Sequence, residues 1–533
     1  MASSTDRNAA KRVAIVGAGT SGLAACKHLL ARGFRPVVFE AGASVGGLWT
    51  RTLASTRLQS PHVAYRFSDF PWPEGVDWFP SHDQVVDYLA AYARRFGVDE
   101  CVRFRSRVVA AEHVGEDDDA ADGEMWAGNG EAFGIDGAGV WRLTVLHGDS
   151  DATQMYEFDF LILCIGRFSG VPNIPAFPPN GGPDAFRGQV LHSMDLSDMD
   201  DADAAALVKD KRVAVVGSGK SAYDIAAECA EANGVEHPCT MVCRSPQWIV
   251  HDTEVWGKVN LGYLFVNRFA ELMIRKPEAG IVSSLLATLL TPLAWLISKV
   301  TEAYYKKAIP MREYGMEPEY GFAGSISACK TGMLPDGLAF YDRVKDGSIV
   351  FRRSRSFSFC EDGLVLDGAD DHQRVVVPAD LVILATGFRG DQKLRDMFVS
   401  PRVKEIVAGS SDTTVPLYRE CVHPRIPQMA VIGYSESLTN IYTSEMMAKW
   451  VARFLDGAFR LPSVRRMEQI VAEWGRYMKR SSGDRFRRSC LGAVNIWYND
   501  QLCRDMGCKQ RRKKGLVAEW FQPYGPADYA DIQ

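Results

Sequence analysis

The sequence predicts an α/β protein with two doubly wound, Rossmann-type dinucleotide-binding domains, one inserted in the other. Three observations carry this. A short β-branched run followed by a glycine-rich turn and a helical pattern occurs twice, at 12–16 (RVAIV) and 212–216 (RVAVV), 200 residues apart, and strands alternating with helical stretches mark parallel, doubly wound sheets. Two further apolar runs, 158–165 (FDFLILCI) and 380–386 (DLVILAT), each end in glycine, Gly166 and Gly387, and read as crossings between the units. The segment 169–183 (SGVPNIPAFPPNGGP) has the composition of a stiff linker. These marks place the first domain at 1–175 and 389–533 and the second at 176–388, with a helical insertion at 255–310 and a C-terminal extension after 450.

In the first unit, Gly17-Ala18-Gly19-Thr20-Ser21-Gly22 follows a strand and opens a helix. The first glycine permits the tight turn, the second lets backbone approach a pyrophosphate, and the third lets helix and strand pack closely. The helix N-terminus offers the phosphates unpaired N–H groups and a positive dipole end. The second strand (PVVFE) ends in Glu40, a carboxylate where a ribose hydroxyl would sit. The next turn, Gly46-Gly47-Leu48-Trp49, extends the fingerprint as in two-dinucleotide flavoproteins, where it borders the flavin, so the first dinucleotide is expected to be FAD. An ordinary turn with Trp49 in the core is the alternative.

The second unit carries Gly217-Ser218-Gly219-Lys220-Ser221-Ala222, with alanine in the third position. A phosphate-binding loop of the nucleotide triphosphatases would need glycine at 214, where the chain has Ala214. The following strand (TMVCRS) ends in Arg244 without an acid, and Lys220 adds charge beside the pyrophosphate. A 2′-phosphate suits a cation, so NADPH is expected over NADH. Arg244 as a plain surface residue is the bland alternative.

Composition narrows the rest. Over 533 residues, 47% hydrophobic and 24% charged is an ordinary globular balance, and a net charge of −5 gives no field for a nucleic-acid backbone. The 12 cysteines form no CxxC and the 10 histidines no metal-ligand spacing, so no metal is expected and the cysteines read as scattered thiols in a reducing compartment. No secretory signal is recognisable, and the cytoplasm is the expected location, with the cytosolic face of the endoplasmic reticulum as alternative. The eighteen uncharged residues 281–298 (IVSSLLATLLTPLAWLIS) are short for a membrane span and broken by Pro292. A buried helix or interfacial insertion is favoured there over membrane contact. Residues 115–139, with seven glycines, eight acids and no base, read as a mobile hairpin loop. The basic run 509–514 (KQRRKK) reads as a solvated face, with nuclear import or anionic lipid contact as minor alternatives.

Two dinucleotide sites imply electron flow from NADPH to FAD. Disulfide reductases need a cysteine pair shortly after the GG turn, and residues 46–100 contain no cysteine. Oxygen or a diffusible acceptor remains. Reduced flavin reacts with oxygen at C4a, and the C4a-hydroperoxyflavin passes its distal oxygen to a soft nucleophile with little need of protein nucleophiles or metals.

The chain resembles the flavin-containing monooxygenases, most closely their plant branch. The family pattern FxGxxxHxxx[Y/F] appears as Phe186, Gly188 and His192, with Leu196 in place of the final aromatic. Further likeness lies in GGLW at 46–49, FSDFPWP at 67–73, LATGF at 384–388 and the tail from Arg511. Baeyer–Villiger relatives would show Trp after the histidine, so the resemblance implies N- or S-oxygenation. It implies that His192 orders the domain junction. It also places Gln59 where animal enzymes carry an Asn that holds NADP+ and the flavin intermediate, and Ser60 beside it. Gln can still donate, but its length bears on leakage of oxygen to hydrogen peroxide. In related flavoproteins the helix within 433–450 points its N-terminus at the flavin, so that Thr443 and Ser444 are expected as caps at the flavin edge, or as caps with no ligand. The plant branch includes enzymes that N-hydroxylate pipecolate in systemic immunity, which implies a small amine or amino acid substrate and a place in plant defence. No counterpart of the animal enzymes' C-terminal apolar anchor is expected from the charged and aromatic residues of the tail. An uncoupled, peroxide-producing NADPH oxidase and a flavin-binding regulatory protein are the alternatives, and oligomeric state is left open.

Overall fold

A computed structural model describes residues 4–115, 130–133, 139–148, 152–367 and 374–532. Two five-stranded parallel sheets organise them. The first runs in the order Met429–Val431, Phe160–Leu163, Val13–Val16, Val37–Phe39, Val102–Arg103. The second runs Ile349–Arg353, Cys239–Cys243, Val213–Val216, Leu381–Leu384, Gln189–His192. The central strands are buried along their whole length, as expected where helices cover both faces of a parallel sheet and the strand sequences are continuously apolar. All strands of the second sheet fall between 189 and 384, and the chain then returns to the first sheet through Met429–Val431.

The duplication extends beyond the two turns. Each unit inserts a three-stranded antiparallel meander, at Ser106–Phe158 just before strand Phe160–Leu163 in the first and at Phe357–Pro378 just before strand Leu381–Leu384 in the second. Of the loop 115–139, residues 116–129 and 134–138 lie outside the described residues, while its flanking strands pair from Ser106 and His147 to Val114 and Val140. Its described part is anchored: Leu461 N–H donates to the Gly130 carbonyl at 2.9 Å, and Ala132 is buried in the first core.

That core joins helix Thr20–Leu30 to helix Asn440–Leu455 and takes in side chains of Val464–Ser482 and Asn495–Asp505. The C-terminal extension therefore completes the first domain's core. Two expectations are corrected. Residues 281–298 lie in two helices, Ile281–Leu289 and Thr291–Ala308, bent by 45°, and most of their large apolar side chains are not buried: Ile281 is 81% and Trp295 61% exposed. The packed side of the second helix is instead Ser298, Thr301, Glu302 and Tyr305, where Glu302 accepts from the Phe322 amide at 3.1 Å. Pro292, unable to continue the first helix, fits the first turn of the second. No single helix among the described residues is long and apolar enough to cross a membrane. The cysteines are not all thiols either. Cys329 and Cys490 form a disulfide with Cα atoms 5.9 Å apart, a pairing that a separation of 161 residues concealed.

Candidate active site

The two glycine turns are built alike. Gly17 N–H donates to Phe39 O at 2.8 Å and Gly217 N–H to Val242 O at 2.9 Å, each tying the turn to the end of the neighbouring strand. Gly17 has φ +103°, and a Cβ there would stand 2.6 Å from the Cys164 carbonyl oxygen. Only glycine fits. Gly19 and Gly219 cap their helices with no side-chain hydrogen bond, so the N-terminal N–H groups stay available to a phosphate. A Cβ on Gly47 would reach 3.0 Å from Gly19 Cα, so the GGLW turn lies directly against the first fingerprint.

One continuous cleft of about 2220 Å³ runs between the turns. Gly17, Gly19, Thr20, Ser21, Glu40, Gly47, Leu48, Trp49, Gln59, Ser60, Gly217, Ser218, Gly219, Lys220, Ser221, Arg244 and Ser444 line it. This volume exceeds the few hundred to about 1,000 Å³ of ordinary small-ligand sites and suits two dinucleotides with a substrate. Ala18, Gly22 and Ala222 lie behind the surface, buried where helix meets strand.

The charged groups have settled partners. Glu40 accepts from Ala18 N–H and Gly42 N–H, both at 2.7 Å, and an ionised carboxylate keeps lone pairs for a ribose hydroxyl. Lys220 is paired along its own helix with Asp224. Its ammonium thus has a carboxylate partner within the cleft wall that it lines. Arg244 stands exposed on the cleft wall with no ion pair among the described residues. Sequence reading missed Lys393, which donates to Ile165 O at 2.5 Å and Ser169 Oγ at 2.8 Å. Burial lowers its ammonium to about 8 against the pull of Glu40. A lone lysine in a helix carries no motif that could have flagged it.

Gln59 and Ser60 meet both halves of the molecule. Met333 N–H, on strand Thr331–Met333, donates to Gln59 Oε1 at 3.3 Å. Ser60 Oγ donates to the Leu438 carbonyl at 3.1 Å. Gln59 Nε2 makes no hydrogen bond among the described residues and is left to the cleft. The turn after Leu438 begins helix Asn440–Leu455, whose cap residue is Thr439. Thr443 and Ser444 are therefore not caps: the helix starts a turn earlier than its apolar periodicity suggested. Thr443 is buried, its hydroxyl donating to Thr439 O at 3.1 Å with Asn495 Oδ1 3.3 Å away, whereas Ser444 faces the cleft beside Ser21 and Gly433.

The family-pattern residues lie outside the cleft. His192 Nδ1 accepts from Met194 N–H at 3.1 Å and its Nε2 lies 3.0 Å from Gly387 O. Burial lowers its pKa against the Gly387 bond, which suits a neutral ring joining strand Gln189–His192 to the turn after Leu381–Leu384. Phe186 is buried against Phe359, and a Cβ on Gly188 would overlap the Asp380 carbonyl and the Phe186 ring.

The glycine cradles, the uncapped helix ends and the cleft volume fit two bound dinucleotides. The model of the flavin-binding monooxygenase-like family matches residues 10–511. The chain belongs to that family. It is 37% identical over 537 residues to the probable flavin-containing monooxygenase 1 of Arabidopsis thaliana, covering 99% of this chain and 98% of that one. Among solved structures it is similar to S-allyl-L-cysteine S-oxygenase from Allium sativum, with TM-score 0.56, 19% identity and coverage of 94% and 89%. Cyclohexanone monooxygenase from Rhodococcus sp. Phi1 bound to NADP+ gives TM-score 0.62 at 16% identity, with coverage of 93% and 97%. These two likenesses show the fold. The protein is thus a flavin monooxygenase of the plant branch.

Proposed function

We propose that this monooxygenase places one oxygen atom from O2 on the nitrogen or sulfur of a small amine, amino acid or thioether. Bound FAD, reduced by NADPH, supplies the oxygen activation. The chain's own residues bind and orient. The fingerprint 17–22 with Glu40, and the turn at 47–49 with Ser444, would hold FAD; the turn 217–222 with Arg244 would hold NADPH. The observation that carries the reading is the clasp of Gln59 and Ser60 between Met333 of one unit and Leu438 of the other. It leaves the Gln59 amide group facing the cleft, where it would donate between the two proposed cofactor sites. The expected division is FAD domain at 1–175 and 389–533 and NADPH domain at 176–388, supported by the strands of each sheet.

A panel of amines, amino acids and thioethers tests this, with NADPH consumption, oxygenated product and peroxide measured together. Product matching NADPH for at least one nucleophile supports the reading. Peroxide matching NADPH whatever is offered would support the uncoupled oxidase instead, and FAD binding without NADPH oxidation the regulatory protein.

A further inference from the structure

We propose that the bent helix pair 281–308, together with helix Leu516–Phe521 and the basic run before it, forms a docking face for an anionic lipid surface. Ile281, Val282, Leu285, Leu289, Trp295 and Leu296 are between 51% and 81% exposed, although the pair has an inner side already packed through Ala287, Thr301 and Tyr305. Solvent-facing apolar residues in such density mark an interaction surface. Nine residues of helix, a 45° bend and a second helix that turns polar after Lys299 suit lying in an interface and not crossing it.

A second apolar patch is fixed to the first. Leu516 and Val517 are 72% and 74% exposed. Their helix packs on the short helix Arg268–Leu272, with Phe269 and Phe521 rings 5.1 Å apart, and the same short helix touches Ile281–Leu289. Arg268 secures the arrangement by bonds to Glu519 Oε1 at 2.5 Å and Asp500 Oδ1 at 2.9 Å. Immediately before Leu516 stands the basic run. Arg512 and Lys513 are held by Asp531 and Asp528, while Lys509, Arg511 and Lys514 are exposed with no ion pair among the described residues.

Charge decides which occupant fits. No acid occurs between Glu278 and Glu302, and the neighbouring run is cationic. A second copy related by a twofold axis would set such a face against itself, apolar to apolar but cation to cation. A leaflet of anionic lipid complements both parts, since each free Lys or Arg near it gains from the negative surface potential.

The holoprotein should be sedimented with vesicles of phosphatidylcholine alone and of phosphatidylcholine with about 30% phosphatidylserine, at low and raised salt. Binding to the anionic vesicles is expected, lowered at least tenfold by the triple variant Leu285→Asp, Leu289→Asp, Trp295→Asp. Severalfold loss is expected for Lys509→Glu, Arg511→Glu, Lys514→Glu and at raised salt. These positions are exposed, so both variants should fold and oxidise NADPH as the parent does. Absence of vesicle binding by the parent overturns the proposal, as does equal binding to neutral vesicles. A dimer that the apolar variant dissociates, without vesicle binding, overturns it in favour of a second copy.

Discussion

Ser68 grips Glu445 with two donors at once: its amide N–H reaches Oε2 at 2.7 Å and its hydroxyl reaches Oε1 at 2.9 Å. Lys449 Nζ in turn donates to Ser68 Oγ at 2.8 Å and to the Tyr529 carbonyl at 2.9 Å, and His28 Nε2 lies 3.5 Å from Glu445. All four side chains are buried. Burial alone would raise the Glu445 carboxyl, but Lys449, His28 and the Ser68 amide outweigh it and hold it at about 2. The network connects the FSDFPWP segment to the helix that lines the cleft through Ser444 and to the fingerprint helix Thr20–Leu30. Lys27, one position before His28, adds an ion pair to Asp69.

Breaking that network should cost stability unevenly. Glu445→Gln keeps the shape but leaves the buried Lys449 ammonium without its counter-charge, for which about 3–5 kcal/mol is expected. Ser68→Ala removes one hydroxyl and should cost about 1–3 kcal/mol. Denaturant unfolding with FAD retention followed in parallel checks both. Equal, sub-kilocalorie effects for the two variants would show that the charges are not coupled as the geometry implies.

Gln59 is the second place where one side chain serves two units. Gln59→Ala removes the donor facing the cleft, and a rise in peroxide per NADPH with little change in NADPH affinity is the expected outcome. Gly332→Ala should act in the same direction from the other side, because its Cβ would sit 3.1 Å from Gln59 Oε1 and 2.8 Å from Ile249 Cδ1. Coupling ratios at saturating NADPH measure both. An unchanged product yield in Gln59→Ala would remove this residue from the oxygenation chemistry.

Lys220 is paired with Asp224, whereas Arg244 lines the cleft exposed and without an ion pair among the described residues, so Arg244 is the side chain expected to read a 2′-phosphate. Arg244→Gln should raise the KM for NADPH by about 10- to 100-fold, the worth of one charge-assisted contact of about 1.5–3 kcal/mol. The KM for NADH should barely move. Parallel changes for the two nucleotides would mean that Arg244 does not read the phosphate.

What could be read beforehand follows the range of each interaction. Both glycine-rich turns were visible because in each of them strand, turn and helix lie within thirty or so residues of one another. The Cys329–Cys490 bridge, the Met333 amide behind Gln59 and the Ser68–Glu445 clamp join segments 161, 274 and 377 residues apart, and no local pattern encodes such meetings. Thr443 was misread for a related reason: its hydroxyl looked like a cap in sequence, but the helix was already formed from Asn440. Residues 281–298 misled in the opposite sense. Their apolar composition suggested burial, whereas the packed face of the pair lies largely in the residues that follow.

Glu420 gives a pH signature distinct from the others. It is buried, and burial drives its carboxyl up to about 8 despite opposition from Ser489 and Arg167. The unfolded chain releases this proton near the ordinary 4.5, while the native state keeps it until about pH 8. Between those values the native state binds more protons, so stability falls as pH rises, and the contribution is fully lost above about 8. His28 and His423 work the other way. Burial lowers both from 6.5 to about 4, so the unfolded chain binds more protons between 4 and 6.5 and stability falls as pH drops through that window. Glu420→Gln keeps a neutral side chain of the same shape and removes only the alkaline penalty. Its denaturant midpoint should match the parent near pH 4.5 and exceed it at pH 8 by an amount worth several kcal/mol, at about 1.4 kcal/mol for each unit of pKa difference, while the acid limb set by the histidines stays in place. A midpoint difference that does not grow between pH 5 and 8 would show that Glu420 is ionised in the native protein.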